Sequence, residues 1–253
     1  MDYWGTPDNR HGAIVQWGTG RLVAAGGAWD GRATGVYSTD RGDTIVWWWT
    51  GTDGYAGLAS FELMTGGNGG WTIQGQIFPG SPPDPDSVAL PAVPPKATPG
   101  YLPTPTGTPK AIDYGPVSVF SGKEDCDMSG AFGTVTNEGD GHQHSRNGTV
   151  KCTDTVDDSR MNGNGAATWN MDHWDGPGSG ALVQWGTARF VAAGGTWEGR
   201  ATGVYSTDRG DTIVWWWTGT DGYAGLASFE LTTGGNGGWT IQGQIFPGSP
   251  PEP

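Results

Sequence analysis

The feature that most limits what this chain can become is a duplication. Residues 183–251 are already present as residues 15–83, with five substitutions. These are Gly20 for Ala188, Leu22 for Phe190, Ala28 for Thr196, Asp30 for Glu198 and Met64 for Thr232, all mild in size or charge. Two stretches this alike are expected to take nearly the same local structure, whatever surrounds them.

Inside each copy the apolar residues come in short alternating runs with glycine-rich breaks. In the first copy, residues 13–17, 21–25, 28–38, 44–50, 56–63 and 71–78 read as strands. Gly18-Thr19-Gly20 reads as a break between the first two, and residues 39–43, 51–54 and 66–70 as turns. In the most apolar run a two-residue period puts Ile45, Trp47 and Trp49 on one face and Val46 and Trp48 on the other. Composition agrees: 47 Gly, 18 Pro and 15 Trp among 253 residues leave little room for long helices. An interior Gly costs a helix about 1 kcal/mol relative to Ala, and Pro about 3. The fold expected is all-β, an antiparallel up-and-down barrel.

The copies differ in what precedes them. Residues 84–111 are Pro-rich and read as an extended linker whose role is spacing, with a motif for a proline-reading partner as the alternative. The sequence from residue 112 to the second copy is new and adds four strand candidates, at 117–122, 131–136, 149–155 and 165–169. One complete barrel is therefore expected over residues 112–253. Residues 1–83 are expected to form only the C-terminal part of another. A partial sheet leaves unpaired edges, so missing N-terminal residues of a longer protein, or strands of a neighbouring copy, are expected to complete it. The near-copy of the opening residues, Met171-Asp172-His173-Trp174, lies deep inside the chain, so Met1 reads either as internal to a longer array or as a start codon placed inside a module.

Charge narrows the partners. A net charge of −13 offers no basic footprint for nucleic acid and disfavours anionic membrane surfaces. No apolar run reaches the ~18 residues of a membrane helix, and no signal peptide is visible after Met1.

The run Gly219-Thr220-Asp221-Gly222-Tyr223-Ala224-Gly225-Leu226, followed by Trp239-Thr240-Ile241-Gln242-Gly243-Gln244-Ile245-Phe246-Pro247-Gly248, resembles a C-terminal signature of small secreted bacterial β-barrel domains. More widely it resembles the allene oxide cyclase-like and dirigent-like barrels. The resemblance covers residues 116–248 in full, and residues 15–80 match its second half only. It implies a barrel and an exported protein, not a reaction, and it supplies no catalytic residue and no cofactor. In an exported domain of this size Cys126 and Cys152 are expected to be bridged, closing a loop of about 26 residues.

Four groups of side chains are candidates for chemistry. Trp47, Trp49, Trp215, Trp217 and Trp239, with Tyr223, could line a ligand pocket or a stacking platform for a small molecule or glycan. The alternative is that they fill the barrel interior. His142 and His144, near Glu138 and Asp140, have the two-residue spacing that lets neighbouring strand side chains share a metal ion. Residues 137–148 are nevertheless rich in turn formers and are expected to form a solvated loop, with the metal site as the alternative. Glu62 and Glu230 sit mid-strand; alternation with the flanking Phe and Leu points them outward. The two Asp-Arg-Gly-Asp segments, at 40–43 and 208–211, read as hairpin-loop salt bridges rather than adhesion ligands. The function expected is a secreted, non-enzymatic repeat protein with a structural or self-assembly role at the cell exterior. Its partners would be copies of itself. A small-ligand or carbohydrate-binding barrel is the second expectation, and a cyclase- or isomerase-like enzyme the third.

Overall fold

Short apolar runs between glycine turns become strands throughout. The computed structural model describes residues 2–5, 12–67, 70–94, 112–113, 117–138, 142–174, 180–235 and 238–251. Residues 95–111 of the linker, Asp140, and parts of the 66–70 turn lie outside them.

The chain divides into two units, one built on Met1–Pro82 and the other on Ser118–Pro250, to which the segment from Pro83 also belongs. The first unit is one antiparallel sheet of six strands in sequence order: β1 (Asp2–Gly5), β2 (Gly12–Ala24), β3 (Gly27–Ser38), β4 (Gly42–Thr52), β5 (Leu58–Gly67) and β6 (Gly70–Pro79). The expected break at Gly18–Gly20 does not occur, and β2 runs straight through it. Gly20 lies against the Trp47 ring, where a Cβ would come within 3.0 Å, so the small residue serves packing rather than a turn.

The ten-stranded sheet of the barrel takes in, in chain order, the short β7 (Ile112–Asp113), then β8 (Ser118–Gly130), β9 (Thr134–Asn137), β10 (His142–Val156) and β11 (Gly163–Trp174). The second copy follows as β12 (Ala181–Ala192), β13 (Thr196–Ser206), β14 (Gly210–Thr220), β15 (Leu226–Gly235) and β16 (Gly238–Pro247). Strand β16 pairs with β8, and β8 with β10, so eight strands close into an antiparallel barrel, β8 and β10 to β16. The expected barrel in the C-terminal part and partial sheet in the N-terminal part are both present. Residues 142–148 do not form the solvated loop expected of them; they begin β10 and pair with β11 and β9.

The two copies share pairing residue for residue. Trp47 faces Glu62 and Trp49 faces Ser60 in one; Trp215 faces Glu230 and Trp217 faces Ser228 in the other. Inside the barrel lie Phe120, Trp169, Met171, Phe190, Trp215, Trp217, Ile241 and Ile245 among others. Gly199 makes room for Trp217; an added Cβ would collide with its ring. The turn Ser159–Met161 holds Met161 in this core, and the Trp197 indole donates to the Arg160 carbonyl at 2.9 Å.

Candidate functional site: an open sheet and its closed counterpart

The same strands are finished in one unit and unfinished in the other. In the barrel, β16 lies between β15 and β8, paired with β8 from Trp239↔Glu124 to Ile245↔Ser118. In the first unit its counterpart β6 pairs with β5 alone among the described residues. Burial follows. Ile241 and Ile245 are 2% and 0% exposed, whereas Ile73 and Ile77 are 60% and 62% exposed. Leu22 and Trp71, on the same inner face, are also exposed, while Phe190 in the place of Leu22 is buried. The first unit thus presents an apolar face beside β6, an edge with no second partner strand among the described residues and so a template for strand addition.

The predicted aromatic residues divide between two roles. Trp215 and Trp217 stack with centroids 4.7 Å apart inside the barrel, where Trp169 lies 5.5 Å from Trp215 and Phe190 lies 6.1 Å from Trp217. Trp47 and Trp49 reproduce the stack at 4.5 Å. Trp239 donates from its indole to Asp211 at 3.2 Å. Tyr223 does not join them: it stacks on Trp197, and its hydroxyl accepts from the Gly194 amide at 3.0 Å, holding a turn.

Glu230 corrects the outward reading. It is fully buried, and so are Phe229 and Leu231 on the other face. Because Glu230 sits directly opposite Trp215, it shares that inward orientation. It joins Glu124 and Asp154, which sequence reasoning did not single out, and Asp211, which it read as part of a hairpin-loop salt bridge. Desolvation pushes Glu230 up to about 8, helped by Glu124 and opposed by the Thr232 hydroxyl and the Trp217 indole. The Thr232 hydroxyl donates to Oε1 at 3.2 Å; among the described residues Oε2 has no partner at hydrogen-bond geometry, the Trp217 indole being near but not bonded to it. Desolvation and then Asp211 push Glu124 up to about 7. Asp154 is raised well above the usual range by desolvation, then by Glu124 and Glu230. Burial also raises Asp211, against hydrogen bonds from Gln184 at 2.8 Å and from Trp239. Asp211 is therefore an inner-face residue, not a member of a loop salt bridge. Burial of this kind disfavours the charged form of each carboxyl.

Cys126 and Cys152 are directly paired across β8 and β10 and are bridged. His142 and His144 come together with Asp172, their nearest ligand atoms all within 4.8 Å of one another. Asp172, opposite His144 on β11, was invisible to local spacing. Its carboxylate lies 2.6 Å from His144 Nδ1 and 2.7 Å from the Arg146 guanidinium, so a cation already neutralises this cluster. Glu138 stands 3.6 Å from His144 Nε2.

No helix among the described residues is long and apolar enough to cross a membrane. No protein-family model, curated protein or solved structure matches the chain.

Proposed function

We propose that this is a non-enzymatic β-barrel repeat protein of the cell exterior, and that its function is assembly. The open sheet of residues 1–83 takes up strands of the 118–174 kind from another copy of the chain. One observation carries the reading: the surface exposed at Ile73 and Ile77 is, in the near-identical second copy, the surface that β8 covers. A donor strand therefore has a known register to follow. The bridged cysteines support an exported setting, since disulfides persist in oxidising compartments.

Light scattering over a concentration series of the full chain tests this. Concentration-dependent multimers are expected, and Ile73→Lys with Ile77→Lys should return the protein to a monomer. A wild-type monomer at every concentration would sink the proposal. The second reading, a platform for a glycan or small ligand, is favoured by the stacked Trp47 and Trp49 on the open sheet. Trp49 is already buried there and Trp47 half-buried, so only part of the pair is open to a ligand. The isomerase-like reading rests on resemblance alone.

A further inference from the structure

The Pro-rich segment after the first copy is more than a spacer. Residues 84–91 lie along the outer face of β12 and β13. The segment is shaped in advance: the Asp84 carboxylate accepts from the Asp86 amide at 3.0 Å, the Ser87 hydroxyl donates to the Asp84 carbonyl at 2.6 Å, and the Val88 amide donates to Pro85 at 3.1 Å. Three side chains of the barrel hold it. The Thr187 hydroxyl donates to the Ala89 carbonyl at 2.8 Å, Arg189 Nη1 donates to the Pro91 carbonyl at 3.0 Å, and Arg200 forms an ion pair with Asp86. Val88 is buried.

We propose that the outer face of β2 and β3 in the first unit is a second receptor for the same kind of segment: an extended, acidic, Pro-rich peptide supplied by a second copy of the linker. Thr19, Arg21 and Arg32 are the counterparts of Thr187, Arg189 and Arg200, in the same register, with Thr19 opposite Arg32 as Thr187 is opposite Arg200. The one substitution among the holding residues and their partners, Asp30 for Glu198, keeps the charge. Trp185 and Val191, which flank Thr187 and Arg189 on β12, are 8% and 7% exposed, with Arg146 over the Trp185 ring; their counterparts Trp17 and Val23 are 37% and 79% exposed, so the face of the first unit is open to an added segment. The arginine itself differs. Arg189 gives Nε and Nη2 to Glu198 and keeps Nη1 for the peptide carbonyl. Arg21 places Nη1 on both oxygens of Asp30, at 2.7 and 2.9 Å. Specificity comes from an acid meeting Arg32, a β-branched residue two places on, and carbonyls that proline leaves free to accept. This face is opposite to the one that takes up strands, and the inference stands whether or not assembly occurs.

The test uses the full chain carrying 5-fluorotryptophan, read by fluorine NMR, with a synthetic peptide of residues 84–94. The peptide is titrated to about 5 mM, which spans the effective concentration of a short tether. The Trp17 resonance, identified by its loss in Trp17→Phe, is expected to shift saturably while that of Trp185 stays fixed. Arg21→Ala with Arg32→Ala should weaken binding at least ten-fold, and so should a peptide carrying Asp86→Ala. The remaining Trp resonances report that the variant is folded. No saturable shift at Trp17 overturns the inference. So does a shift that survives the double substitution, or one that the peptide lacking Asp86 reproduces unchanged.

Discussion

At the scale of single residues, the acids inside the barrel are the least expected feature and the one with the clearest consequence. Their ordinary values lie near 4, while Glu124 and Glu230 are pushed up to about 7 and 8. Between those limits the unfolded chain ionises first and binds fewer protons than the folded one, so stability falls as pH rises across the window and levels off above it. Each unit of displacement is worth about 1.4 kcal/mol per group. The urea midpoint of the barrel is therefore expected to drop between about pH 5 and pH 8.5. Glu230→Gln should flatten that slope and raise the midpoint at the alkaline end, leaving the acid end nearly unchanged. An unaltered slope in the variant would show that Glu230 does not titrate in the window. Local sequence could not place this residue. Phe229-Glu230-Leu231 suggests apolar in and acid out, but both faces of β15 are buried and alternation loses its meaning there. The deciding fact is register against Trp215, which depends on how the turn between β14 and β15 is closed.

At the scale of elements, the duplication supplies matched pairs in which sequence is constant and surroundings change. Ile245→Ala removes a buried side chain and should cost about 2–5 kcal/mol, whereas Ile77→Ala, at the same place in an exposed strand, should cost less than about 0.5. Denaturant titrations of the two variants check this, and equal losses would mean that β6 is covered in solution. The strands themselves were legible because alternation and glycine turns agree along most of their length. Misreadings fell where glycine serves packing, as at Gly20 beside Trp47, and where contacts come from distant sequence. Asp172 completes the histidine cluster from another strand, and the linker is held by Thr187 and Arg189, each 98 residues from its partner. No window of sequence contains such contacts.

At the scale of the whole molecule, the two units carry different staples. The Cys126–Cys152 bridge closes a loop of 26 residues in the barrel, worth about 3 kcal/mol in the chain-entropy view; the first unit has no cysteine. Hydrogen exchange after reduction is expected to lose protection by that amount in β8 and β10 to β16, with β2 to β5 unchanged. Uniform loss across both units would refute the assignment of the bridge to barrel stability alone. The near-identity of the sheets also bears on how the chain is made. During synthesis the N-terminal sheet emerges first and residues 118–174 follow, before the strands they eventually close against exist. For that interval the acceptor edge of matching sequence among the described residues is that of the earlier sheet. Ordering a longer connecting loop adds little to the cost of such a pairing. Slower translation through residues 183–251 should therefore lengthen the time in which such a pairing can form and lower the fraction of molecules in which β8 reaches β16.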